Sequence, residues 1–204
     1  KQLLAQSPEQ RREAARRTWS ELLGRSAPTS PAQVVRQDPD STDATSGLNI
    51  RRTVLEVEPK IPVVVVELTS RGGAEGKDAA NRSAEKRPIV VAVSQGGSTL
   101  FAKQRAAEIR QLCDQGFAVC LVDVRGTGET SLGDDRGRGG RATSVSSSHL
   151  MLDETLLGLR LLDLRSALTW LGTRPDLDAK RVIVWGDSPS APLDTPTMPI
   201  VPHL

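Results

Sequence analysis

Val182-Ile183-Val184-Trp185-Gly186-Asp187-Ser188-Pro189-Ser190 is the stretch that decides the fold. Four apolar residues run without a polar break into a glycine, an acid and a serine. A continuous apolar run bounded by turn residues reads as a strand covered on both faces. The strand predicted over 181–185 therefore passes into a sharp turn with Ser188 at its apex. Such a turn crowds the strand against the next helix. Small residues are needed two before and two after the serine, and Gly186 and Ser190 are small.

The same grammar recurs upstream. Ile89-Val90-Val91-Ala92-Val93 is a buried strand, closed by Ser94-Gln95-Gly96-Gly97-Ser98. A helix comes next, with Ala102, Ala106, Ile109 and Cys113 on one face and Gly116 as its stop. The next buried strand, 117–122, ends at Asp123 and opens into Val124-Arg125-Gly126-Thr127-Gly128. Residues 125–148 read as a long loop. Leucines 157, 161, 164, 168 and 171 then mark a helix over 150–171. Strand and helix alternate, the pattern of a parallel sheet with crossover helices. Before this half, 52–58 and 63–68 read as two antiparallel strands, with Pro62 at the start of the second, where proline is tolerated.

The chain begins differently. Ser7, Pro8 and Gln10 form a capping signature for a helix over 7–23, with Ala15, Trp19 and Leu22 at helical spacing and Gly24 as its stop. Arg11, Arg12, Arg16 and Arg17 give it a basic face, read as solvated. Residues 25–49, rich in Ser, Thr, Pro, Asp and Ala, read as linker. The expected organisation is an N-terminal helix and linker over 1–49, a partial domain over 50–191 and a proline-rich tail over 192–204.

Composition narrows the function classes. Of 204 residues only three are Trp, two Phe and none Tyr, so the core rests on Leu, Val, Ile and Ala. Lys and Arg number 27 against 25 Asp and Glu, a balance that does not point to nucleic acid. The tract Arg136-Gly137-Arg138-Gly139-Gly140-Arg141 resembles RNA-binding Arg/Gly repeats but is single and lacks aromatics. RNA binding is accordingly the least favoured reading. No apolar run approaches the ~20 residues of a membrane span. Asp134-Asp135 has no spaced partner ligands, and Gly126-Thr127-Gly128 lacks the third glycine of a dinucleotide fingerprint, so neither metal nor cofactor is expected. Cys113 and Cys120 read as buried free thiols, and nothing demands a disulfide between them.

Taken in order, the glycine turn at 94–97, the Asp123-x-Arg125-Gly126-x-Gly128 loop and the Gly186-x-Ser188-x-Ser190 turn resemble the α/β-hydrolases. With the leading helix, they are most similar to acetyl xylan esterase-type serine esterases. The resemblance covers roughly 52–191. It implies an incomplete α/β-hydrolase sheet, mostly parallel with crossover helices and an antiparallel N-terminal opening. It also implies that Ser188 is the nucleophile, that backbone N–H groups at Gly96 and Gly97 face the oxyanion, and that the substrate is a small acyl ester or acetylated carbohydrate.

The tail departs from that pattern. Pro189 has no N–H where the family takes an oxyanion donor, a loss worth about 100- to 1,000-fold in rate. Pro192, Pro196, Pro199 and Pro202 forbid the helix expected in this place. The family's acid and histidine lie after the serine, yet His203 is the one histidine there and His149 precedes it. The expectation is a domain truncated near Ser188, its tail the product of truncation or a frame change, and inactive as this chain. The competing expectation is a non-catalytic remnant or interaction module, because an uncovered strand edge invites a partner or self-association.

Overall fold

The computed structural model describes residues 7–70, 86–131 and 141–187, with the side chains of 141–143 left aside. Helix α1 (Pro8–Leu23) begins with the predicted capping box. The Gln10 N–H donates to Ser7 Oγ at 3.2 Å, and the Ser7 N–H donates to Gln10 Oε1 at 3.0 Å. None of its residues is buried, so Trp19 and Leu22 do not face a core.

The sheet is built from β1 (Gln33–Gln37), β2 (Ser41–Thr42), β3 (Leu48–Glu58), β4 (Ile61–Ser70), β5 (Arg87–Ser94), β6 (Ala118–Asp123) and β7 (Leu177–Asp187). Its order is β1-β3-β4-β6-β5-β7, with β2 beside β3. β3 and β4 form a hairpin, Leu55 opposite Val63, and β4 pairs antiparallel with β6. β6, β5 and β7 run parallel. The sheet is thus parallel in its crossover-connected core and antiparallel where the chain enters it, an α/β-hydrolase arrangement.

Each crossover covers one face. From β5 the chain passes through α2 (Gly97–Gln104) and α3 (Ala106–Asp114), whose Phe101, Ile109 and Cys113 pack on Val90, Ala92, Val119 and Leu121. From β6 it passes through α4 (Arg141–Met151) and α5 (Leu156–Gly172), and Ala167 and Leu171 of α5 pack on Ile89, Val91, Cys120 and Val122. Successive residues of β5 point to opposite clusters, which is why its sequence is apolar throughout. Cys113 and Cys120 lie in different clusters, and both are free thiols. Burial pushes the Cys113 thiol up to about 11 and raises Cys120 further.

Four segments differ from expectation. The run 182–185, expected to be covered on both faces, lies in β7, which among the described residues is an edge strand flanked only by β5, so Val182, Ile183 and Val184 are exposed. The linker predicted over 25–49 contains β1 and β2, which are exposed edge strands ordered by pairing with β3 rather than by apolar pattern. The loop predicted over 125–148 contains the start of α4, and the helix predicted over 150–171 is divided. Asp153 takes a positive φ of 59°, and the Thr155 hydroxyl accepts the Gly158 N–H at 3.0 Å, so a new helix starts there. The buried face of α5 carries Leu159, Leu162, Asp163, Ser166 and Ala167. Leucines occur on several sides of this helix, and its small residues decide which side meets the sheet. Of the predicted stripe, Leu171 is buried, whereas Leu157 is 63 % exposed.

Candidate functional site

The chain leaves β5 toward β6 and returns past it to β7, with crossovers on opposite faces. In open α/β sheets such a reversal leaves a crevice at the carboxyl ends of the strands. A cleft of about 610 Å³ lies there. Val93, Ser94 and Gln95 line it from the exit of β5, Val124 and Thr127 from that of β6, and Gly186 and Asp187 from that of β7. The outer wall is Leu157, Arg160, Leu161 and Leu164 of α5, with Trp19 and Leu23 of α1. The end of α1 is fixed against α5 by the Thr155 hydroxyl, which donates to the Leu23 carbonyl at 2.7 Å.

The parallel register places Gly186 beside Val93 and Asp187 beside Ser94. The exits of β5 and β7 are therefore adjacent, with the glycine turn next to the point where the chain goes on to Ser188. Ser188 itself, Pro189 and the tail with His203 lie outside the described residues, as do Asp134-Asp135 and most of the Arg/Gly tract. The carboxylate of Asp187 accepts from Arg105 Nε at 2.8 Å.

In the turn after β5, the Gly96 N–H donates to Ser94 Oγ at 3.3 Å. Gly97 takes φ +79° and meets the backbone of the loop after β6: a Cβ on it would sit 2.1 Å from Gly128 Cα. Both loops are tied to Asp123, which is fully buried. Its Oδ1 accepts the Ser98 N–H at 2.6 Å, and its Oδ2 accepts the Ser98 hydroxyl at 2.8 Å and the Glu129 N–H at 3.0 Å. The carboxylate thus sits at the start of α2, where unsatisfied N–H groups favour an anion. It fixes the turn holding Gly96 and Gly97 and is not itself one of the residues lining the cleft.

Arg125 has a structural employment. Its Nε donates to Asp163 Oδ2 at 2.8 Å and its Nη2 to Asp163 Oδ1 at 2.5 Å and Glu58 Oε2 at 2.7 Å. Its backbone N–H also donates to Asp163, at 2.8 Å. Glu58 pairs in turn with Arg25, and Arg25 with Glu154 at 2.7 Å. Burial works against charge on both Arg125 and Glu58, but these bonds outweigh it: the guanidinium is raised and the carboxyl lowered from their ordinary values. His149 belongs to this network, its Nδ1 3.4 Å from Glu154 Oε2, and is not part of the cleft lining.

Asp163, Glu58 and Arg160 were not marked by the sequence. The available signal was a base and an acid, Arg160 and Asp163, on an otherwise leucine-rich helix. Among the described residues there is no cluster of three His, Cys, Asp or Glu able to hold a metal, and no helix long and apolar enough to cross a membrane. Arg11, Arg12, Arg16 and Arg17 are all exposed, with Arg17 paired to Glu21 at 3.0 Å.

The fold is that of an α/β-hydrolase, and comparison with solved structures agrees. A protein from Bacteroides fragilis NCTC 9343 assigned as an acetyl xylan esterase superposes with TM-score 0.63 at 17 % identity, covering 88 % of this chain and 47 % of its own. Acetyl xylan esterase from Paenibacillus sp. R4 gives 0.51 at 22 %, covering 76 % and 45 %. Acetyl xylan esterase 1 from Thermoanaerobacterium sp. JW/SL YS485 gives 0.51 at 18 %, covering 86 % and 51 %. The chain spans about half the length of each. No family model matches the sequence, and no curated protein does.

Proposed function

We propose that this chain is the nucleophile-bearing half of a serine carboxylic-ester hydrolase whose substrate is an acetylated carbohydrate or another small acyl ester. The observation that carries the reading is the adjacency of the β5 and β7 exits over one apolar cleft, with Ser94-Gln95-Gly96-Gly97 on one side and the approach to Ser188 on the other. Ser188 is the nucleophile in this reading, and backbone N–H groups at Gly96 and Gly97 stabilise the oxyanion. Names of the structural neighbours support the substrate class. His149 does not line the cleft, and its Nδ1 lies 3.4 Å from Glu154 Oε2, so it is not the base in this reading. The reading still requires an acid and a histidine, and without them the 204 residues do not turn over ester. With a chromogenic acetyl ester, this chain and its Ser188→Ala variant are expected to show equal, background rates. A clear excess in the unsubstituted chain would overturn the inactivity.

One observation favours a second reading, an interaction module. Among the described residues β7 pairs only with β5, and Val182, Ile183 and Val184 are 37 %, 52 % and 57 % exposed. A long apolar edge strand is a template for pairing. In this reading the occupant is a second copy, β7 against β7. Sedimentation velocity should show concentration-dependent dimers that Ile183→Lys weakens about tenfold or more, since an edge lysine blocks pairing. A monomer at every concentration would exclude it.

A further inference from the structure

The cleft contains two charged groups, and they differ in kind. Asp187 is paired with Arg105. Arg160, in the first turns of α5, is bound only by carbonyl oxygens: its Nε donates to Arg125 O at 3.1 Å and its Nη2 reaches Gly126 O at 3.5 Å. Among the described residues Arg160 forms no ion pair. The negative charge it senses is Asp163, whose oxygens are already held by Arg125. Burial pulls the Arg160 guanidinium below its ordinary value, the reverse of the paired Arg125. A partly buried cation whose neighbouring acid is already engaged by Arg125 gains from a further anion, and one entering the cleft would supply it. Beside it, Leu157, Leu161, Trp19 and Leu23 present apolar surface.

We propose that the cleft binds a small amphiphilic carboxylate, its head on Arg160 and its hydrocarbon body along Leu157, Leu161, Trp19 and Leu23. The charge complementarity selects this ligand over a neutral one, and the apolar wall selects it over a free inorganic anion. The proposal goes beyond the esterase reading because binding requires no nucleophile. Arg160 is a ligand-binding residue here and takes no part in bond breaking.

The probes are hexanoate and hexanol, which share an apolar chain and differ in charge, titrated calorimetrically into the 204-residue chain. Hexanoate is expected to bind about 10- to 100-fold tighter than hexanol, the usual worth of a charge-assisted hydrogen bond. Arg160→Gln should abolish the difference while leaving hexanol affinity unchanged, which also reports that the cleft is intact. Arg160→Lys should keep most of it, and Ser188→Ala should keep all of it. Equal binding of the two ligands to the unsubstituted chain would overturn the proposal, and so would no binding of either. So would a preference that survives Arg160→Gln. These outcomes are read without turnover, so the esterase reading stands or falls separately.

Discussion

Asp163→Ala is expected to lower the folding stability of the chain by about 3–5 kcal/mol, the usual consequence of removing one partner from a buried ion pair. Asp163 is fully buried on the inner face of α5, and the Arg125 side chain is only 12 % exposed. Three of the hydrogen bonds that Arg125 donates end on Asp163, and Glu58 takes the fourth. Alanine would leave a guanidinium in the interior with one acid at its edge. Glu58→Gln should cost much less, because Glu58 is about one-fifth exposed and Asp163 would still hold Arg125. Urea unfolding of both variants checks the order, and an Asp163→Ala midpoint equal to that of Glu58→Gln would show that the pair does not organise the loop. The effect belongs to folding, since neither Asp163 nor Arg125 lines the cleft.

Gly97→Ala is expected to cost about 2–5 kcal/mol, from a side chain at positive φ together with overpacking. The new methyl group would sit 2.1 Å from Gly128 Cα and 2.5 Å from Gly128 N, with Asp123 Oδ1 at 3.2 Å. Those neighbours are backbone and a buried carboxylate, and Asp123 is held by Ser98 and Glu129, so none can yield cheaply. Gly96→Ala is the control. Its φ is −79°, and its methyl would meet Leu100 Cδ2, the mobile end of a side chain, at 2.5 Å. That variant should stay within about 1 kcal/mol of the parent, as a surface change usually does. Thermal unfolding that ranks the two glycines equally would contradict the close approach of the loops after β5 and β6.

The contrast between these positions shows what the sequence could carry. Ile89-Val90-Val91-Ala92-Val93 announced a strand buried on both faces because each face meets its own helix, and that requirement is local to five residues. Glycines at 97, 126 and 128, each at positive φ, announced tight turns from equally local requirements. β1 and β2 were illegible because their backbone order comes from β3, and their side chains are exposed. The division of the long helix turned on Asp153 and Thr155, a cap hidden inside a leucine pattern that continues across it. The site divides in the same way. Its loops were legible as spaced glycines, whereas the partners of Arg125 lie 38 and 67 residues away and are joined to it only by the fold. Arg160 looked like any solvated base on a helix until its wall of the cleft was in place.

The most direct test of the central claim is to read the locus beyond the codon for Leu204 and to assay the protein it encodes on acetylated xylan and a chromogenic acetyl ester. An acid and then a histidine are expected downstream of Ser188. Ester turnover is expected too, and Ser188→Ala should lower it by about a million-fold or to the assay floor, as loss of a triad serine does. Turnover equal in the two proteins, or an uninterrupted frame that ends at Leu204 with no hydrolase-coding sequence after it, would contradict the claim.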